Sequence, residues 1–367
     1  AAMTGNYRIA GYSGARGDDN WGSAPSTIAI TATADGTTVD LQLPPNCEAV
    51  YTDKSNGCVV GGGVVSDAVK NEVLSFTMNQ GDVIEVLAAY GPYPQIAHAD
   101  LSGALINASQ PIQVISLNAI ANIPDEVGNA DHMEETVLPA EVIGKSYVVA
   151  PPTSYGGAPR GHVVRFYGNV DGTKLTYPQG KPAGAPDTIN AGEVVEIPTR
   201  NSNNQCPALN ETCFLSEAFV VDGDQPFAVG SFQVGGRLQV PNYPEQYAEP
   251  GDPAFSMIVT PEQFRKGYTF LAPADFLENY ADILVPDGAE VTLDGAAMTA
   301  PLTAIGTSGW SVARVLLNGA AGGIHSLSTT HEKGLGLQVM GFGSATSFYY
   351  PGGLNLKLIS KPPVIVK

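Results

Sequence analysis

Charged residues are scarce in this sequence, and positive charge is the scarcest. They make up 15% of the 367 residues, with 18 Lys and Arg against 36 Asp and Glu. The net charge of −18 repels a phosphate backbone, so nucleic acid is not an expected partner. The chain also has no run of 18 apolar residues, and we therefore expect no membrane insertion by this segment.

The sequence also lacks the common motifs of catalysis and phosphate binding. Gly-x-Ser-x-Gly, which exposes a nucleophilic serine, is absent, and the Gly61-Gly-Gly63 run has neither the lysine nor the serine of a phosphate loop. No pair of carboxylates stands out among the 36 acidic residues. We therefore expect a protein that is not an enzyme and has no cofactor, with calcium as the one exception considered below.

Cysteine is rare as well, but its spacing is informative. The four cysteines form two local pairs, Cys47 with Cys58 and Cys206 with Cys213, and none has the Cys-x-x-Cys spacing of a metal site. Two short-loop disulfides are the preferred interpretation, and free thiols in a reducing compartment are the alternative. Disulfides would predict an exported protein, at the cell surface or outside the cell.

The most informative feature that is present is a sequence repeated three times. Each copy opens with an apolar run led by a tyrosine, at Tyr7, Tyr147 and Tyr268. Each continues with an Asp-Gly dipeptide between two alternating runs, at 35–36, 171–172 and 287–288. Because glycine tolerates positive φ, each dipeptide predicts a β-hairpin. Self-similarity at spacings above 100 residues predicts duplicated structural units.

These patterns predict an all-β fold of three tandem antiparallel β-sandwich modules with long connecting loops. The boundaries follow from the repeats: residues 1–138, 139–260, and 261–367 with a C-terminal tail. We expect that tail to continue into a longer chain. The stretches 119–138, 201–216 and 237–260 differ between copies, and we expect any binding site to lie there.

Several local sequences in this order resemble the N-terminal domain of the IgGFc-binding protein family. The matching stretches are Ile28-Ala-Ile-Thr-Ala-Thr-Ala-Asp-Gly-Thr-Thr-Val39, Asp100-Leu-Ser-Gly103 with Gln110-Pro-Ile-Gln-Val114, Asp131-His-Met-Glu-Glu-Thr-Val-Leu-Pro139 with Gly144-Lys145, and Gly323-Ile-His-Ser-Leu327 with Gly341-Phe-Gly343 and Tyr350-Pro-Gly352. The resemblance implies an extracellular β-rich binding or adhesion domain of a bacterial secreted or surface protein. Antibody binding does not follow, because ligand specificity does not transfer over such distance.

The sequence departs from the family at one position. Family members usually have a cysteine before the Asp-His pair, where this chain has Ala130. The local disulfide of the family is therefore not expected here.

Two groups of residues are candidates for ligand binding. Tyrosines in glycine- and proline-rich loops combine contact area with a hydroxyl, and they are Tyr90, Tyr93, Tyr243 and Tyr247. The densest polar cluster is Asp131-His132 with Glu135, which could contact a ligand or hold a metal. The alternatives are that the tyrosines cover seams between modules and that the cluster bonds to backbone.

Asp18 and Asp19 follow a glycine-rich turn and precede Asn20. Carboxylate and amide oxygens suit a hard cation, so this loop is the candidate calcium site. The complete pattern of a calcium loop is missing, which leaves a solvated loop as the alternative.

The leading functional hypothesis is a secreted or cell-surface adhesion module that does not catalyse a reaction. It would recognise a protein or glycan ligand on a host, prey or neighbouring cell surface through loops between strands. A structural rod or fibre segment of a larger surface assembly is the alternative, and a carbohydrate-active enzyme is the second alternative.

Overall fold

The computed structural model describes residues 4–14, 24–47, 50–51, 54–55, 57–90, 99–124, 130–198, 213–239, 250–317 and 323–365. Within these ranges the fold is all-β, as the alternating sequence predicts, with very little helix. None of the described helices is long and apolar enough to cross a membrane.

Strands form within three successive segments of the chain. The first segment contains β1 (Asn6–Arg8), β2 (Ser26–Ala32), β3 (Thr37–Gln42), β4 (Val50–Tyr51), β5 (Lys54–Ser55), β6 (Val59–Val60), β7 (Val73–Met78), β8 (Val83–Ala88), β9 (Leu105–Ala108), β10 (Ile112–Ala121) and β11 (Asp131–Thr136). The second contains β12 (Ser146–Val149), β13 (His162–Gly168), β14 (Thr173–Thr176), β15 (Thr188–Ile189), β16 (Val194–Ile197), β17 (Phe219–Gly223), β18 (Phe227–Gln233), α1 (Gly236–Gln239) and β19 (Ala254–Met257). The third contains β20 (Gly267–Ala272), β21 (Glu278–Pro286), β22 (Val291–Leu293), β23 (Ala296–Ala297), β24 (Leu302–Ala304), β25 (Trp310–Leu316), β26 (Gly323–Thr329), β27 (Gly336–Gly343) and β28 (Thr346–Pro351). Short 3₁₀ turns at Ala140–Val142 and Pro261–Gln263 lie in the connections between segments.

Each segment builds two antiparallel sheets, and the strand order repeats. The first sheets are β1-β9-β3-β7, β12-β17-β14-β15 and β20-β26-β22-β23. The second sheets are β11-β10-β2-β8-β6, β19-β18-β13-β16 and β28-β27-β21-β25-β24, while β4 and β5 form a separate ribbon. Each segment has an apolar cluster that includes residues of both its sheets, such as Leu41 with Ile30 and Phe270 with Ile283.

The prediction of hairpins at the three Asp-Gly turns is wrong. In each segment the strand before the turn and the strand after it lie in different sheets, as β2 and β3 do. In the first two segments an asparagine of a neighbouring turn holds the Asp-Gly turn: Gly36 N donates to Asn79 Oδ1 at 3.4 Å, and Gly172 N donates to Asn190 Oδ1 at 3.0 Å. An Asp-Gly signal fixes the chain reversal but not the partner of each strand.

The opening tyrosines have one structural role in all three copies. Their hydroxyls donate to the carbonyl at the start of the equivalent late strand: Tyr7 to Ile112 at 2.6 Å, Tyr147 to Phe227 at 2.6 Å, and Tyr268 to Leu335. All three side chains are buried, at 4% exposure or less. Burial raises the pKa of Tyr268, so its hydroxyl stays protonated and can donate. The sequence repeat therefore marks a repeated buried hydrogen bond.

A disulfide joins Cys47 and Cys58, as the sequence predicts, and closes a loop with a sequence separation of 11. Cys213 is disulfide-bonded too, while Cys206 lies outside the described residues. Replacing Cys47 and Cys58 together by alanine is expected to lower the free energy of unfolding by about 3 kcal/mol, since the unfolded chain regains loop freedom. Urea unfolding without reductant measures this loss, and an unchanged midpoint would contradict it.

The segments pack directly against one another. Arg165 of the second segment bonds to Asp100 and to the Gly11 carbonyl of the first, at 2.7 and 3.1 Å. Trp310 and Ile305 of the third share an apolar cluster with Val148 of the second. These two contact regions are called the first seam and the second seam below.

The tail after β28 turns back across the molecule. Lys357 N donates to Gln263 Oε1 at 2.9 Å, Ile359 N to the Glu141 carbonyl at 2.8 Å, and Ile365 N to Asn107 Oδ1 at 2.7 Å. The tail therefore touches both connections between segments and ends on the first segment, which draws the chain into a compact arrangement.

Candidate binding surfaces

Of the four candidate tyrosines, Tyr90 is described, and its side chain is exposed at 42%. Tyr93, Tyr243 and Tyr247 lie outside the described residues, as do Asp18 and Asp19. Their proposed roles in ligand and calcium binding stay predictions. Within the described ranges, no group of three or more His, Cys, Asp or Glu side chains is placed to hold a metal ion.

The acidic cluster at Asp131, His132 and Glu135 lies on β11, an edge strand of its sheet. Thr346 of the third segment donates to Asp131 Oδ2 at 3.1 Å, so Asp131 links two segments. The exposed His132 lies instead against Glu134, with Nε2 3.4 Å from its carboxylate. Asp131 therefore contacts the third segment, whereas His132 is exposed beside Glu134.

Glu135 has an unusual environment. Loss of hydration raises its pKa to about 8, and the charge of Glu134 adds to the shift, while a backbone bond at Thr136 opposes it. Its cross-strand partner on β10 is the buried Ser116, which lies close to Gly11 at the first seam. A carboxyl group that stays protonated near neutral pH can donate a hydrogen bond to a ligand oxygen.

The Glu135 shift predicts a specific pH dependence. The folded pKa lies above the unfolded value, so the folded state binds the extra proton and stability falls as pH rises from about 4.5 to about 8. Replacing Glu135 by glutamine should remove this loss, making the variant more stable than the parent at pH 8.5 and similar at pH 4.5. Melting temperatures at both pH values measure it, with Glu85→Gln, at an exposed side chain of β8, as the control. Parallel pH profiles for parent and variant would contradict the prediction.

A cleft of about 540 Å³ opens beside the first seam, between the first two segments and the tail. Arg8 and Asn169 line it together with Lys361 of the tail. Arg8 donates from Nη1 to the Gly103 carbonyl at 2.7 Å, and burial lowers its pKa to about 10 while Asp171 acts in the opposite direction. Because Arg8 is only 5% exposed, its guanidinium stabilises the first seam and is almost inaccessible from the open cleft.

An apolar groove of about 520 Å³ lies on the third segment, between its edge strands β20 and β28. Aromatic rings line it, with Phe276 and Phe348 edge to face at 4.7 Å between centroids and Phe348 stacked on Tyr350 at 5.8 Å. Leu271 at its rim is 52% exposed. Exposed apolar surface of this kind is typical of sites that bind a partner.

The family comparison agrees with the resemblance found in the sequence. The family model described as IgGFc binding protein matches residues 1–341, which include strands of all three segments. The chain belongs to the IgGFc-binding protein family. Membership indicates a binding function for the chain, without identifying its ligand.

Other comparisons add nothing about function. No curated protein matches the chain. Among solved structures, an anti-sigma factor domain-containing protein from Clostridium clariflavum aligns over 90% of this chain and 84% of its own, with 11% identity and a TM-score of 0.16. A second anti-sigma factor domain-containing protein aligns over 89% and 84%, with 9% identity and a TM-score of 0.14. Scores this low carry no argument about fold or function.

This member of the IgGFc-binding family has the aromatic stretch 348–350 on β28. Sequence reasoning missed Leu271 and Ile324, which are 52% and 76% exposed. The usable signal was a difference between copies: the third residue after the opening tyrosine is alanine at 10 and 150 but leucine at 271.

Proposed function

We propose that this chain is a secreted or cell-surface adhesion module that binds a protein or glycan ligand without catalysing its conversion. We further propose that residues 1–138, 139–260 and 261–367 are three β-sandwich modules derived from one ancestral unit. The repeated strand order and the repeated tyrosine hydrogen bond support this division.

The observation that carries the binding proposal is the open aromatic groove on the third segment. It combines Phe348 and Tyr350 of the edge strand β28 with Phe276 from the connection before β21. Rigid aromatic groups give large contact area at low entropic cost, which suits recognition. The candidate residues Tyr90, Asp131, His132 and Glu135 lie on other parts of the surface and are proposed as additional contacts.

Among the described residues, His162 and Ser231 most resemble a catalytic pair, but their burial favours a structural role. His162 Nδ1 lies 2.6 Å from Ser231 Oγ, the geometry of a base and a nucleophile. Both residues have no exposed surface, and burial lowers the pKa of His162 to about 3. Tyr349 of the third segment donates to Ser231 Oγ at 3.4 Å, so the second and third segments enclose this serine. The buried pair therefore supports a scaffold rather than an enzyme.

The radius of gyration distinguishes packed segments from the rod alternative. A compact chain of this length has a radius of gyration of roughly 21 Å, whereas three such units end to end would give roughly 30 Å. We expect the lower value by small-angle X-ray scattering at several concentrations. The higher value would favour the rod.

The proposed function is tested by probing arrays of glycans and secreted proteins with the purified chain, with and without calcium. Specific attachment without turnover of the captured ligand is the expected result. Binding only with calcium would assign a role to the loop of Asp18 and Asp19. Robust glycan hydrolysis that a carboxylate substitution abolishes would overturn the proposal in favour of an enzyme.

A further inference from the structure

Equivalent positions in the three segments have different surroundings. Tyr7, Tyr147 and Tyr268 are equivalent by their hydrogen bonds, and their cross-strand partners are Ile106, Val221 and Leu327. The residue after each tyrosine points to the other side of the sheet, away from the core. This outer side is called the outer face of the first sheet below.

In the second segment the outer face is covered by the third. Val148 and its partner Val220 are 1% and 8% exposed, and they pack in one cluster with Ile305 and Trp310. Ile305 and Trp310 flank the turn that leads into β25. Apolar side chains from a turn of the following segment therefore pack on this face.

The first segment is covered in the same way by the second. Arg8 and its partner Leu105 are 5% and 3% exposed, and Arg8 Nε reaches Asn169 Oδ1 at 3.4 Å. Gly103 lies so close to Gly192 that an added Cβ would be 2.2 Å from its carbonyl oxygen. Gly192 belongs to the turn before β16, the strand that corresponds to β25 in the repeated sheet order.

In the third segment, the described residues leave the same face open. The equivalent residues Thr269 and Ser326 are exposed, and next to them the cross-strand pair Leu271 and Ile324 is 52% and 76% exposed. Two large aliphatic side chains side by side in water are costly, because their apolar surface stays hydrated. The aromatic groove continues from Leu271, so face and groove form one surface.

We propose that this surface, the outer face at Thr269, Leu271, Ile324 and Ser326 with the adjoining groove, binds a protein partner that presents bulky apolar side chains on a turn. The partner packs on the third segment as the second segment packs on the first and the third packs on the second. The inference rests on the proposed binding function and identifies the ligand class and the surface.

The chemistry of the groove favours a protein over a sugar. Sugars need polar side-chain groups beside the aromatic faces, to bond their hydroxyls. Of the two hydroxyl-bearing side chains in the groove, Thr269 and Tyr350, Tyr350 already donates to the Leu271 carbonyl at 2.7 Å and accepts from Leu271 N at 3.3 Å. The phenylalanines and Leu271 offer no polar atoms, so aliphatic or aromatic protein side chains are the better complement.

The test uses a phage-displayed library of disulfide-closed decapeptides, selected on the wild-type chain. We expect enriched peptides with bulky apolar residues at the turn, and at least tenfold weaker binding to a Leu271→Asp/Ile324→Asp variant. The matched control is Val64→Asp/Val83→Asp, which places the same two charges at residues of the first segment that are 75% and 56% exposed. Binding to the control should equal that of the wild type.

Three outcomes would overturn the inference. One is peptides that bind the double variant as well as the wild type. Another is self-association of the wild-type chain in sedimentation that the double variant loses, because the surface then belongs to a second copy. The third is an array ligand that the double variant still captures, which rejects this surface but leaves the proposed function intact. Capture of no ligand by the wild type would instead reject the proposed function.

Discussion

Replacing Arg165 by methionine is expected to lower the free energy of unfolding by about 3–5 kcal/mol. Arg165 is 7% exposed and is the cation between two carboxylates, Asp100 at 2.7 Å and Glu196 at 2.8 Å. Its guanidinium also lies 3.9 Å from the ring centroid of Tyr12. Without the cation, two poorly solvated carboxylates face each other at the first seam.

The Arg165 prediction includes a pH signature. Burial acts to raise the pKa of Asp100, but Arg165 and bonds from Ser102 outweigh it and hold that pKa below its ordinary value. A depressed pKa stabilises the folded state above the unfolded pKa, and this stabilisation is lost as pH falls through the folded value. The deficit of the variant should therefore be largest near pH 7 and smallest in acid.

Urea unfolding at pH 7 and pH 4 measures both effects. Arg160→Met is the matched control, because Arg160 belongs to the same segment and its side chain is exposed. A loss at Arg165 no larger than at Arg160 would show that the seam does not depend on this ion triad.

The second large effect is expected from Gly103→Ala, at roughly 2–6 kcal/mol. Gly103 has φ +90°, which costs an alanine backbone strain, and its Cβ would meet the Gly192 carbonyl oxygen across the seam. Gly172→Ala separates the two costs: its φ is +65° and nothing lies within 4 Å of the added Cβ. That control should lose only about 1–2 kcal/mol.

The two seam substitutions should not be additive. Arg165 and Gly103 both stabilise contacts at the first seam. Once one substitution disrupts these contacts, the other lowers the free energy of unfolding by less. Chemical unfolding of the double variant should show a loss smaller than the sum of the single losses. Full additivity would mean that the two residues stabilise independent parts of the molecule.

Much of the scaffold could be predicted from the sequence, because strands and turns leave local signals. Alternation over residues 27–33 indicates a strand, which the structure has at Ser26–Ala32, and the spacing of cysteines identified the Cys47–Cys58 disulfide. The Asp-Gly turns at 35, 171 and 287 were found as turns, but not as crossings between sheets. Which strands pair depends on contacts distant in sequence, and a local motif does not record them.

The binding surface was harder to predict for a related reason. Leu271 and Ile324 lie 53 residues apart and become neighbours only through the pairing of β20 with β26. Their exposure differs from that of the equivalent face of the first two segments, which the following segment covers. The sequence does contain one signal of this exposed pair: the position occupied by Ala150 in the second copy is occupied by Leu271 in the third.

The most direct test compares thiol labelling at equivalent positions, in single variants Ala150→Cys and Leu271→Cys without reductant. The second seam partly buries Ala150, and Leu271 is open. We expect fast labelling at position 271 that slows when a peptide selected on the wild-type chain is added, and much slower labelling at 150 in the folded protein. Equal labelling at both positions, or a rate at 271 that the peptide does not change, would contradict it.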